Sequence, residues 1–260
     1  MNFKNRAYAK RQTGLSYIGS INSSAKLIKN KKVSNNYTYV IYLAPAELSG
    51  YNVCPFSTPE CRGGCLHTSG RVKVETFANM NTIQKARIKK TQLFFEHREF
   101  FMQWIIAEMT AYKKKAENDG YAFSARLNGT SDIRWEDIQI DGKTLFEIFP
   151  DVQFYDYTKH PNRMLALLPD NYHLTFSYTG RNEPVSKRIL KNGNNVAVIF
   201  NVKKGQPLPA TWNGFEVIDG DLTDYRPLDG EGVVVGLRWK DIADRQKNKT
   251  IKESRFVVQV

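Results

Sequence analysis

Cys54, Cys61 and Cys65 are the only 3 cysteines in a chain of 260 residues, and they fall within twelve positions of one another. Thiolates are soft ligands that suit zinc or an iron–sulfur cluster. The stretch runs Cys54-Pro55-Phe56-Ser57-Thr58-Pro59-Glu60-Cys61-Arg62-Gly63-Gly64-Cys65-Leu66-His67, and its prolines and glycines allow it to turn side chains inward on one centre. Gaps of six and then three residues let three sulfurs cap a single 4Fe–4S cubane, leaving its fourth iron open. A disulfide would use two thiols and leave one over, and no secretion signal precedes the loop. Two alternatives stand beside the cluster. Zinc would take His67 as fourth ligand, although only Cys61 and Cys65 have zinc-like spacing, and the cysteines could also be free, buried thiols.

The residues before the loop position it. Tyr37 to Ala44 are aromatic and β-branched, bounded by Asn35-Asn36 and Pro45, and read as a buried strand. The cysteines therefore follow the carboxyl end of an early strand, where parallel α/β folds place their chemistry. Further polar clusters end later strands: Arg126-Leu127-Asn128-Gly129-Thr130-Ser131-Asp132, Tyr155-Asp156-Tyr157-Thr158-Lys159, Ser177-Tyr178-Thr179, Asn201, and Arg238 with Lys240. In a βα barrel they would converge on one rim. Asp132, Asp156, Lys159 and Arg238 are then the candidate catalytic residues, and Arg126, Asn128, Ser177 and Asn201 the candidate cofactor-binding ones. Singly, each also makes a good turn or helix-cap residue.

The elements that must carry these groups alternate. Strands are expected at Tyr121–Leu127, Val152–Tyr157, His173–Ser177, Val196–Asn201 and Val233–Arg238, with Val72–Phe77 short and extended and Phe256–Val260 a further edge. Helical periodicity covers Asn79–Lys90 and Thr91–Glu117, with a break near Thr91, and Glu183–Lys191 reads as a helix opening at a proline. Alternation of this kind predicts a parallel sheet with crossover helices. The absence of a Gly-rich phosphate turn points to a partial or distorted βα (TIM-like) barrel, with the cysteine loop after its first strand. Residues 1–34 read as an irregular basic lead-in and 35–260 as a single domain.

The formal net charge is +12, which favours a small anionic ligand or nucleic acid as partner. Basic residues concentrate in Lys26–Lys32, Lys85–Lys90 and Lys113–Lys115, runs that solvated faces also explain. No apolar run is long enough to span a membrane, so a cytoplasmic protein is expected. Asp219-Gly220-Asp221 with Asp224 could hold a divalent metal for nuclease chemistry, but its Gly-rich setting reads as a turn.

The cysteine loop, Arg-Leu-Asn-Gly-Thr-Ser-Asp, Tyr-Asp-Tyr-Thr-Lys and Gly236-Leu237-Arg238 together resemble the phage-encoded gene product 88 family from about Leu15 to Lys240. That resemblance implies a phage or prophage setting, in the host cytoplasm, and supplies no agreed activity. More distantly, three cysteines on the loop after a first barrel strand look like the radical SAM enzymes, where three thiolates hold a 4Fe–4S cluster and S-adenosylmethionine occupies the open iron. Only Cys54, Cys61 and Cys65 carry over, with wider spacing than that pattern. Together these readings anticipate an iron–sulfur protein, a radical SAM-like or Lewis-acid enzyme on a small polar or phosphorylated substrate. The other classes are a basic nucleic-acid-binding protein with a structural zinc or cluster site, and a virion structural protein.

Overall fold

The computed structural model describes residues 1–21, 25–65, 80–242 and 244–260. Its first half holds α1 (Arg6–Thr13), β1 (Gly19–Ile21), α2 (Ala25–Val33), β2 (Asn36–Ile41), α3 (Pro59–Gly63), α4 (Thr82–Glu96), α5 (Arg98–Asn118) and β3 (Ala122–Arg126). Then come β4 (Gln139–Ile140), β5 (Lys143–Thr144), α6 (Leu145–Ile148), β6 (Gln153–Thr158), β7 (Tyr172–Ser177), α7 (Glu183–Lys191) and β8 (Val196–Phe200). The chain ends with β9 (Thr211–Trp212), β10 (Phe215–Asp219), β11 (Val234–Arg238), α8 (Arg245–Lys252) and β12 (Val257–Val258). It is a mixed α/β fold in which most strand pairs are parallel.

The chain divides into two compact units. The first comprises Met1–Pro55, Thr82–Asp156 and Leu168–His173, and the second Phe56–Asn81, Tyr157–Leu167 and Leu174–Val260. In the first, β1 pairs antiparallel with β2, while β2 with β3 and β3 with β6 are parallel. Every residue of β2 is buried, which is why it reads as a continuous apolar and aromatic run without alternation. Helix α5 packs on β2 and β3 through a stripe that buries Phe100, Phe101, Trp104, Ile105 and Met109. Fully burying side chains of this size stabilises by roughly 1.5–3 kcal/mol each.

In the second unit β7, β8, β11 and β10 are parallel neighbours in that order, and β9 closes onto β10 as an antiparallel hairpin arm. Strand β11 takes one edge of β8 over its whole length. The other edge is shared. Strand β7 pairs with Val196 and Ala197, and β12 with Ile199 and Phe200. Strand β7 thus leaves β8 after Ser177, and β12 takes over its carboxyl half.

Several expectations are corrected. The lead-in is not irregular, because α1, β1 and α2 are built from residues 1–34; β1 is a paired strand, and Asn5 caps α1 with its side chain. The helical break falls at His97, not near Thr91, because the Thr91 hydroxyl donates to the Arg87 carbonyl and accepts from Ala44 N–H inside α4. The further edge expected at Phe256–Val260 is β12, which among the described residues pairs on one side only, with the carboxyl half of β8. Among the described residues no strand pairing closes a barrel in either unit. Both Val72–Phe77 and His67 lie outside the described residues.

Candidate functional site

In the first unit the loops after β2 and β3 meet at the carboxyl ends of the strands. The Asp132 N–H donates to the Val53 carbonyl at 2.8 Å, and Cys54 Sγ lies 3.7 Å from the Thr130 carbonyl oxygen. Gly129 allows this approach. A Cβ there would stand 2.6 Å from the Ile41 carbonyl oxygen, a distance no other residue tolerates without moving backbone. Asn128 organises the loop from within: its Oδ1 accepts from Ser131 Oγ, Ile133 N–H and Trp135 Nε1. The fully buried Asp156 carboxylate within β6 accepts from Asn128 N–H at 2.8 Å and from Tyr172 Oη at 3.1 Å. Asn128 and Asp156 are thus engaged in holding the loop, while Asp132 and Arg126 are half-buried at the same strand ends.

The second unit gathers another set. Thr58 caps α3, accepting from Cys61 N–H at 3.3 Å, so Cys61 lies within the helix and Cys65 just beyond it. Cys61 packs with Trp239 and Ile199 against an apolar cluster of Ile242, Ile251, Phe256 and Val257. The ring of Phe56 lies 4.1 Å from that of His160, next to the half-buried Lys159. Glu60 accepts from Arg181 at 2.7 Å, and its carboxyl is held below the usual range although burial pulls it up, because the Arg181 guanidinium and local hydrogen bonds favour the anion. In this unit the later part of the cysteine loop therefore meets the segments after β6, β7 and β11.

Arg238 is not presented to a ligand as a lone cation. Its Nη1 donates to Asp219 at 2.9 Å and to Asp221 at 3.3 Å, its Nε donates to the Gln206 carbonyl, and the hydrogen bond to Asp219 raises its pKa further. The same pairing absorbs the acidic segment: Asp219 Oδ1 accepts Asp221 N–H in a turn. Ser177 is buried at the end of β7 with its carbonyl taken by Asn182 Nδ2, and Asn201 bonds Gln259 at the surface.

The family described as gene product 88 matches residues 16–259. The chain belongs to the gene product 88 family. No curated protein and no solved structure matches it, and the likeness to radical SAM enzymes gains no support. In this phage family member Cys54 belongs to the first unit, and Cys61 and Cys65 to the second. None of the three thiols is in a disulfide, and all are half-buried. Among the described residues no group of three or more His, Cys, Asp and Glu side chains is placed to hold a metal, and no helix is long and apolar enough to cross a membrane.

Glu60, Phe56 and Trp239 escaped the sequence reading. Phe56 and Glu60 were visible only as neighbours of cysteines, and Trp239 as the residue after a strand-end arginine. Their contacts join segments more than a hundred residues apart, a relation that local pattern does not carry.

Proposed function

We propose that this gene product 88 family member binds a 4Fe–4S cluster through Cys54, Cys61 and Cys65. The observation that carries the reading is the position of the cysteine loop. It leaves the carboxyl end of β2, the first strand of a parallel run, and it offers three thiols outside any disulfide. The donor set fits iron by its chemistry, since half-buried thiols become thiolate ligands on metal binding. A cluster would need the three sulfurs drawn together around it. Strand order supports a partial barrel as the scaffold in part: β2, β3 and β6 in one unit, and β7 and β8 in the other, stand side by side in chain order, whereas β10 stands outside β11. A doubly wound sheet would reverse that order at a switch point.

When bound, a cluster held by three thiolates supplies one open iron, a Lewis acid or electron-transfer centre toward a small polar or anionic ligand, with S-adenosylmethionine as one such ligand. The chain's own residues set the surroundings. Asp156 and Asn128 hold the loop beside Cys54, and Lys159 offers a cation for a carboxylate or phosphate.

Anaerobic purification with iron and sulfide analysis tests the proposal. About four irons and four sulfides per chain are expected, with a brown colour. A Cys61→Ser variant should lose both. A colourless preparation carrying stoichiometric zinc, or no metal, would sink the idea. A change in the spectrum of the reduced cluster on adding S-adenosylmethionine would separate a radical SAM-like enzyme from a Lewis acid.

A further inference from the structure

The departure of β7 from β8 and the insertion of β12 leave a groove of about 760 Å³ in the second unit. One wall is the loop after β7 with the first turns of α7, and the other is the turn from α8 into β12. The close fit of the walls depends on Gly180. Its φ is +81°, and a Cβ there would lie 2.6 Å from the backbone of Arg255 and Phe256, so only glycine lets the two segments touch.

The groove has an aromatic side and a cationic side. Tyr178 and Trp212 meet edge to face with ring centroids 5.1 Å apart. Arg181 and Lys187 line the groove from one wall and Arg255 from the other, against two carboxylates, Glu183 and Glu253. Glu183 is engaged by Lys187 at 2.8 Å, and Arg181 by Glu60 at 2.7 Å. The Glu183–Lys187 pair is exposed on both sides, so an incoming dianion exchanges with it at little cost, whereas Glu60 is only 21% exposed and holds Arg181 more firmly. Arg255 is exposed and near enough to Tyr178 to oppose, by its charge, the rise that burial gives the phenol. The Asn182 side chain turns back to Thr179 N–H and the Ser177 carbonyl and does not cap α7. Asn182 therefore gives the first-turn N–H groups of α7 no side-chain acceptor.

We propose that this groove binds a nucleotide, with the base against Tyr178 and Trp212 and the phosphates among Arg181, Lys187 and Arg255. Aromatic contact serves any base, whereas the cations need the phosphates, and the volume lies within the range of about 300–1,000 Å³ usual for small-molecule sites. The groove adjoins helix α3 through the Arg181–Glu60 pair, but the proposal does not depend on a cluster being held by the cysteines.

Isothermal titration of the full chain with the four common nucleoside diphosphates, their parent nucleosides and inorganic pyrophosphate tests this. At least one diphosphate is expected to bind about tenfold more tightly than either its nucleoside or pyrophosphate, because stacking and charge act together. Arg255→Glu should weaken that diphosphate about tenfold or more, and Lys187→Gln by a few-fold, with the urea midpoint of each variant unchanged. Absence of millimolar or tighter binding for every diphosphate overturns the proposal. Equal affinity for nucleoside and diphosphate, or for wild type and Arg255→Glu, does so as well.

Discussion

Burial holds the Asp229 carboxyl up at about 6 against an ordinary 3.8, with Asp224 adding to the rise and Arg226, whose Nη1 lies 3.2 Å away, opposing it. The Arg226 side chain is itself 1% exposed, and a charge pair in that position loses hydration that its own attraction only partly restores. The sign of the pH effect follows from proton counts. Between pH 3.8 and 6 the folded chain keeps a proton on Asp229 that the unfolded chain has released. Stability from this group is therefore fully present below the lower value and lost as pH rises through the upper one. Urea midpoints of wild type and Asp229→Asn, measured from pH 4 to 7, should show wild type losing ground to the variant across that window. A constant gap between them would show that Asp229 ionises as an ordinary surface carboxylate. Residues like Asp229 and Asn128 were beyond sequence reading in their detail. Asn-Gly-Thr-Ser-Asp was legible as a strand-end turn, but that its asparagine would satisfy three donors at once depends on Trp135, brought in by the fold.

Helix α3 is the element that carries Cys61, and its docking rests on the absence of a side chain at Gly64. A Cβ there would stand 2.8 Å from the Trp239 ring, which cannot swing aside because its Nε1 donates to Asn248 Oδ1 at 3.0 Å. Gly64→Ala should lift α3 from Trp239 and expose the thiol that packs beside it. The expected result is alkylation of Cys61 several-fold faster than in wild type, read residue by residue by mass spectrometry, with an unchanged far-ultraviolet spectrum. Unaltered labelling would mean that α3 is not seated on that ring. How much of the elements could be read follows the same division between local and distant causes. Strands β2, β3, β6, β7, β8 and β11 announce themselves through β-branched and aromatic runs, and α7 through its opening proline. Strand β1 holds only Gly19–Ile21, too short for any period, and exists because it pairs with β2. The helical break was misplaced because a threonine inside a helix and a threonine capping one look alike in sequence. The β9–β10 hairpin turns at Asn213-Gly214, both with positive φ, a signal that was present but overshadowed by the acidic turn after it. The groove was invisible for a different reason: its far wall is a two-residue strand whose partner lies some sixty residues earlier.

At the scale of the whole molecule, a net charge of +12 creates a field that attracts polyanions whatever the fold does. The fold decides which cations can touch one. In α4 the basic run splits by face: Arg87 lies over the Tyr42 ring at 5.0 Å and Lys90 over Tyr17 at 4.3 Å, both buried, whereas Lys85 and Lys89 are exposed. Lys90 is so enclosed that desolvation lowers its pKa to about 8. Elsewhere Lys113 bridges to Glu117 and Asp151, Lys115 to Asp119, and Lys31 sits over Tyr37 and Tyr121. Charge reversal across the whole Lys85–Lys90 run would therefore confuse lost attraction with a damaged core. The informative change is Lys85→Gln with Lys89→Gln, which alters only the outer face. If that face meets duplex DNA, log affinity falls linearly with log salt, and removing two phosphate contacts should lower the slope by about two while leaving the urea midpoint unchanged. Equal slopes for wild type and the double variant would mean that the charge of this chain steers ligands from a distance without α4 ever lying on a nucleic acid.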